Sequence, residues 1–200
     1  MSKGRFIVFE GIDGTGKSTV ARLVSEKLRE SGKDCVLTME PSDSWIGDAV
    51  RRANENGTDD LAEALLFMAD RAEHTKQIEA MLNEGTWVVC DRYYASTLAY
   101  QTATLGNRLE EPMQWLWNIN QRIIRIPDVT YYFVLEVEKA LDRMSDRPGR
   151  SKFEKLDFLR QVDANYRKVE AMDDSFHRVD ADRSLENVLT YVLDHIRKNL

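Results

Sequence analysis

Apolar residues in this chain fall into short runs separated by longer stretches where they recur every three or four positions. Five runs rich in β-branched and aromatic residues read as strands: "RFIVFE", "DCVLTM", "TWVVCD", "VTYYFVLEV" and the shorter "SFHRVDA". The helical period predicts helices over Ser18–Glu30, Ser44–Asn54, Asp59–Asn83, Ser96–Thr104, Glu111–Ile124, Lys139–Ser145, Phe153–Met172 and Leu185–Lys198. Buried strands alternating with helices predict an α/β fold, a five-stranded parallel sheet with helices on both faces. Ligands of such sheets bind beyond the carboxyl ends of the strands, so the segments just after each strand carry the functional expectation.

Within the helix at 59–83, Leu61, Leu65, Met68, Ala72 and Ile78 form the expected core stripe. No repeat, low-complexity tract or Pro/Ser-rich linker interrupts the chain, so one domain over residues 1–200 is expected. "DRPGRSK" breaks the pattern between two helices. It reads either as an exposed turn or as a short mobile lid at about 146–153 bearing Arg147 and Arg150.

Composition narrows the partners. The chain has 200 residues, with 28 basic and 34 acidic side chains and a net charge of −6. Indiscriminate binding to nucleic acid or to an anionic membrane needs a broad positive surface, which this balance argues against. A local basic pocket remains possible. Cys35 and Cys90, the only cysteines, each lie in a strand-like apolar run and read as core residues, with no C-x-x-C for zinc or redox chemistry. The apolar run near the N-terminus is too short for a signal peptide, and no segment approaches membrane-spanning length. A cytoplasmic, reduced setting is the expectation.

"GIDGTGKS", residues 11–18, fits G-x-x-x-x-G-K-[ST] between a strand and a helix. Its glycines let backbone N–H groups turn inward on phosphate oxygens, and the helix N-terminus adds partial positive charge. Lys17 can reach β and γ phosphates, and the Ser18 hydroxyl can meet Mg²⁺. Asp13 is an acid inside this anion loop. A turn-forming role, an indirect contact to Mg²⁺, or a contact to a second ligand would each account for it.

After "TWVVC" comes "DRYYASTLAYQ". Asp91 can hold Mg²⁺ through water, and the Arg92 guanidinium can grip a phosphate in bidentate fashion. A purely structural Asp–Arg pair is the other reading. Phe67 and Arg71, four apart on one helix, can stack on a base and donate to its carbonyl. Spacing by itself favours a core Phe67 and a solvated Arg71. No guanine-reading N/T-K-x-D element follows a later strand, so a GTPase is disfavoured. A kinase of a small acceptor and a non-catalytic nucleotide-sensing module both stay open.

"FEGIDGTGKST", "EPS", "LLFMADRAEH", "DRYYASTLAYQ" and "VDADRSLENV", in this order over nearly the whole chain, resemble the thymidylate kinase family of P-loop nucleoside monophosphate kinases. The resemblance implies a P-loop NTPase fold, transfer of the γ-phosphoryl group of ATP to dTMP, Mg²⁺ as cofactor and a homodimer packed through helices. It implies that Lys17 and the loop residues Gly11, Gly14, Thr15, Gly16, Ser18 and Thr19 hold ATP. Arg143, Asp180 and Ala181 would border adenine, and Arg147 and Arg150 would neutralise phosphate. On the acceptor side, Phe67 would stack on thymine and Arg71 would donate to its carbonyl. Arg92 would bind the 5′-phosphate, with Ser96, Thr97 and Gln101 along the base. Tyr100 would exclude a ribose 2′-hydroxyl, and Asp13 would accept from the sugar 3′-hydroxyl. Three positions depart from the family pattern. Met39 stands where many bacterial members have arginine, with Arg51 as a substitute source of charge. Gly14 replaces an arginine found in the loop of some members, and "SKFE" stands where the bacterial lid often reads D-R-x-E.

Overall fold

The computed structural model describes residues 3–144 and 152–200. The chain runs β1 (Phe6–Glu10), α1 (Lys17–Glu30), β2 (Cys35–Met39), α2 (Trp45–Asn56), α3 (Asp60–Asn83), β3 (Trp87–Asp91) and α4 (Tyr94–Leu105). It continues through α5 (Pro112–Asn120), β4 (Val129–Val134), α6 (Val137–Asp142), α7 (Lys152–Glu170), β5 (Phe176–Asp180) and α8 (Leu185–Asn199). Arg147, Arg150 and most of the expected lid lie outside the described residues.

All five strands pair in parallel in the order β2-β3-β1-β4-β5. Every residue of β1 is buried, Glu10 included. Successive strand side chains point to opposite faces, so burial of all five requires cover on both faces of the sheet. Burying an aliphatic or aromatic side chain of this size contributes about 1.5–3 kcal/mol, and Ile7→Ala in so dense a place would cost about 2–5 kcal/mol. Cys35 and Cys90 are both buried free thiols, as their strand positions predict.

Local signals set the helix ends. The Ser44 side chain accepts from the N–H groups of Ile46 and Gly47 to start α2, and Gly57 ends it in the left-handed conformation. Asp59 caps α3 in the same way, and Pro112 opens α5. The expected strand at 129–137 stops at Val134, because the chain turns into α6 at Val137. The expected helix at 111–124 ends at Asn120, and a turn carries the chain on through Ile123 and Ile124.

The core stripe of α3 differs from the sequence expectation. Ala64, Met68, Arg71, His74, Thr75, Ile78 and Leu82 are buried, whereas Leu65 and Ala72 face solvent. Met68 and Ile78 are buried and Leu61 packs against the core as expected, but the inward face also carries charged and polar groups satisfied inside the protein, so a count of apolar residues wrongly added Leu65 and Ala72 and missed Arg71, His74 and Thr75.

Candidate active site

The phosphate loop joins β1 to α1. Gly14 has φ +84°, and a Cβ there would lie 2.3 Å from the Ala140 carbonyl oxygen. Gly11 has φ +142°, and a Cβ there would lie 2.7 Å from the Phe133 carbonyl oxygen. Neither position accepts a side chain with this backbone, which explains the glycine at 14 where an arginine could otherwise stand. The Thr15 hydroxyl donates to the Ile12 carbonyl and braces the turn. Gly16, left-handed, precedes α1 without any side-chain cap, and the first turn holds no acid. The N–H groups there keep their capacity to meet an anion.

Lys17 is buried within this loop. Burial, then the Arg92 charge, pulls its pKa down to about 8, although Asp13, Asp91 and Glu10 favour its charged form. Ser18 lies exposed at the start of α1, and Asp91 ends β3. Asp91 Oδ1 is buried without a hydrogen-bond partner. An unsatisfied carboxylate oxygen beside a phosphate loop fits a hydrated divalent cation. No group of three or more His, Cys, Asp or Glu among the described residues could cage a metal by itself. Such an ion would therefore rely on nucleotide oxygens for most of its shell.

Arg92 sits just past β3 with φ 72°, a left-handed backbone that is strained for a residue with a Cβ. The turn aims its guanidinium back at the phosphate loop. Nη2 donates to Asp13 Oδ1 at 2.6 Å, and Nη1 to Ser96 Oγ at 2.9 Å and the Gly11 carbonyl at 3.3 Å. The Tyr100 ring lies 5.2 Å from the guanidinium carbon. Arg92 thus pairs with Asp13, across the cleft, and not with its neighbour Asp91. Burial favours neutral Asp13, but Arg92 and Lys17 outweigh it and hold the carboxyl below its ordinary range.

Glu10 holds this corner from beneath. Its carboxylate accepts from the N–H groups of Tyr93 and Ser96 and from the hydroxyls of Ser96 and Tyr166. Burial raises its pKa, against the lowering effect of those bonds and of Arg92. It fastens the start of α4 to the end of β1. The sequence reading passed over Glu10, although a charge ending the otherwise apolar run "FIVFE" was a signal.

Beyond Arg92 opens a cavity of about 270 Å³ whose walls include Phe67, Arg71, Thr97, Tyr100 and Gln101. Arg71 is 1% exposed, which overturns its reading as a solvated charge. Its Nε and Nη2 donate to Glu40, Nη2 also to Thr97 Oγ1 at 2.9 Å, and Nη1 to Asn120 Oδ1 at 2.8 Å. A guanidinium has five N–H donors, so these bonds leave one N–H of Nη1 for a ligand. Phe67 is half-buried on the cavity wall, not in the core.

The helix and the loop after β2 grip each other twice. Arg71 and His74 bind the Glu40 carboxylate, while Asp70 accepts from the Ser42 N–H and from the hydroxyls of Ser42 and Ser44. The motifs "EPS" and "ADRAEH" thus form one unit, a pairing that only the fold makes visible. Met39 is exposed at the end of β2, and Arg51 is tied to Asp48 and the Pro41 carbonyl, off the cavity wall.

The adenine-side expectations also meet in space. Arg143 Nη1 donates to the Ala181 carbonyl at 3.1 Å, and Lys139 bonds Asp182 beside it. Asp180 is exposed and pairs with Arg183.

A strand–loop–helix phosphate cradle on a parallel sheet, with an arginine and a base-sized cavity beside it, marks a P-loop nucleotide-binding protein equipped for a second ligand. Sequence comparison narrows the class. The model of the thymidylate kinase family matches residues 9–192. A probable thymidylate kinase of Methanococcoides burtonii is 42% identical over 97% of this chain and 96% of its own length. One from Pyrococcus horikoshii is 39% identical over 99% and 98%. The solved thymidylate kinase of Candida albicans superposes with a TM-score of 0.78 at 29% identity, covering all of this chain and 94% of that one. The chain belongs to the thymidylate kinase family, the nucleoside monophosphate kinases that convert dTMP to dTDP with ATP.

Proposed function

We propose that this chain, working as a single kinase domain, transfers the γ-phosphoryl group of ATP to dTMP in line, with Arg92 and Asp13 at the junction of the two sites. The observation that carries this reading is the 2.6 Å contact between Arg92 and Asp13, which brings the acceptor-side cation against the donor loop. The acceptor phosphate, with a second pKa near 6, is largely a dianion at neutral pH and needs no strong general base. The difficulty is repulsion between anions and control of geometry.

Lys17 and the uncapped N–H groups of α1 hold the ATP phosphates, and Arg92 receives the 5′-phosphate of dTMP. Mg²⁺, held by the Ser18 hydroxyl and through water by Asp91, would neutralise charge on the phosphate oxygens. Phe67 stacks on thymine, the remaining Arg71 N–H meets a thymine carbonyl, and Ser96, Thr97 and Gln101 follow the base. Tyr100 crowds the 2′ position, and Asp13 accepts from the 3′-hydroxyl. Arg143 and the Asp180–Ala181 segment flank adenine.

A cytoplasmic setting agrees with two buried free cysteines and with the lack, among the described residues, of a helix long and apolar enough to cross a membrane. A homodimer is supported by exposed Leu65, Ala69 and Ala72 on the outer face of α3. A monomeric mass at micromolar concentration would remove it. The reaction is tested by ADP release with ATP, Mg²⁺ and dTMP, dUMP, UMP, dCMP or dGMP. Preferred turnover of dTMP is expected; nucleotide binding without transfer to any of them would overturn the proposal.

A further inference from the structure

Glu63, Phe67 and Arg71 stand at successive i, i+4 positions of α3 and all line the same cavity. Phe67 and Arg71 have roles in the proposed acceptor site, but the acid at the head of the column has none. A carboxylate on the wall of a base pocket needs a reason.

Glu63 is half-buried, and two amides converge on it. Gln101 Nε2 lies 3.3 Å from Glu63 Oε1. The Asn54 amide, with its nitrogen turned to the carboxylate, donates to Oε1 at 3.0 Å and Oε2 at 2.7 Å. An ionised carboxylate only accepts hydrogen bonds, so both amides must present nitrogen to it. That choice matters for Gln101, which is 5% exposed and whose two amide ends point in opposite senses. With Nε2 engaged by Glu63, Oε1 is the free end, and no described residue donates to it.

We propose that Glu63, braced by Asn54, is a specificity-positioning residue that locks the Gln101 amide with its oxygen available to the base. The inference rests on the proposed acceptor role of this cavity. A pyrimidine with a 4-carbonyl presents that carbonyl as an acceptor and its N3–H as a donor. Cytosine presents the reverse, an amino donor at C4 and an acceptor at N3. The free N–H of Arg71 suits the carbonyl, and a locked Gln101 oxygen suits N3–H. Against cytosine, both protein groups face their own kind, donor to donor and acceptor to acceptor. Buried polar groups left unpaired in this way are the strongest source of discrimination between similar ligands. A glutamine free to rotate could satisfy either base. The acid thus removes from Gln101 the freedom that would make the pocket indifferent.

The test compares kcat/KM for dTMP and dCMP in the wild-type protein and in Glu63→Gln, with KM for ATP measured alongside. Glutamine at 63 can donate as well as accept, so the Gln101 amide is released. The expected result is a rise of about tenfold in KM for dTMP, a smaller change in kcat, an unaltered KM for ATP, and a fall of about tenfold in the dTMP-to-dCMP ratio. Asn54→Ala, an exposed change on α2, should move the same ratio in the same direction by about twofold to threefold. Glu63→Gln combined with Gln101→Glu puts a permanent acceptor back in the pocket and should restore rejection of dCMP. A dTMP-to-dCMP ratio unchanged in Glu63→Gln overturns the proposal, as does a double variant no more selective than the single one. Failure of the wild-type protein to phosphorylate dTMP would instead defeat the acceptor-site reading beneath it.

Discussion

Asp13 Oδ1 accepts a hydrogen bond from Arg92 Nη2 at 2.6 Å, and the same oxygen lies 3.7 Å from Lys17 Nζ. An acid in the phosphate loop thereby links the loop cation Lys17 to the Arg92 guanidinium at the end of β3, the two cations proposed to serve donor and acceptor. Its place explains how a loop built for anions tolerates a negative charge. The buried Lys17 and the partly buried Arg92 would otherwise repel each other across the cleft, and Asp13 screens them.

Asp13→Asn keeps the shape and removes that charge. With the 3′-hydroxyl acceptor weakened and Arg92 less firmly aimed, kcat/KM for dTMP should fall by about tenfold to a hundredfold, while KM for ATP changes by less than about threefold. Steady-state kinetics with each substrate varied in turn decides it. A loss confined to ATP would return Asp13 to the donor side.

Lys17→Met should separate function from stability. Turnover should drop by about a thousandfold, since in the proposed mechanism the ammonium neutralises charge that builds up on phosphoryl transfer. The melting temperature should hold or rise, because a buried ammonium with a depressed pKa is a poor contributor to folding. Near-normal turnover in a folded variant would remove the phosphate-loop mechanism.

ATP binding should take up a proton in mildly alkaline solution. Lys17 in the free protein has its pKa lowered to about 8, and a bound polyphosphate favours its charged form. At pH 8.5 most free molecules hold Lys17 neutral, so binding should draw in roughly 0.7 proton, against under about 0.1 at pH 7. Calorimetry in buffers of different ionisation enthalpy measures this. The same shift sets a stability slope: the unfolded lysine binds its proton up to about pH 10.4, so between about 8 and 10.4 stability from this group rises with pH.

Tyr100 has its hydroxyl 3.3 Å from the Asp13 N–H and its ring over Arg92. Tyr100→Ala opens space beside the sugar. The preference for dUMP over UMP, two acceptors that differ only at the 2′ position, should shrink by about tenfold or more. An unchanged preference would move the 2′ contact to another residue.

Phe67→Ala should raise KM for dTMP by about tenfold or more and leave KM for ATP nearly unchanged, since the ring lies on the wall of the cavity proposed to take the acceptor. Equal effects on both substrates would point to a packing role.

Much of the donor site was legible because it is local. "GIDGTGKS" writes strand end, turn and helix start into eight consecutive residues, and Gly11 and Gly14 have the positive φ angles such a turn needs. The acceptor pocket was legible only in part. Spacing by itself favours a solvated Arg71, since helical period reports which face a residue occupies and not whether its charge finds partners. Glu40 and Asn120 answer that question from 31 and 49 residues away. Glu63 and Asn54 escaped notice because each is an ordinary polar residue on a helix until Gln101 is brought opposite them.

The elements, the parallel sheet and the phosphate loop follow from periodicity and turn chemistry, because both act over a few neighbouring residues. Which polar residues join Met68 and Ile78 on the inward face of α3 emerges only from the assembled fold. That face is chosen by hydrogen bonds to Glu40, Asn120 and Thr97, which reward buried polar groups that a count of apolar residues scores as solvent-facing. The fold alone also decided that Arg92 meets Asp13 and not Asp91. The two are 79 positions apart in the chain, and the left-handed turn after β3 brings them together where parallel strands end side by side.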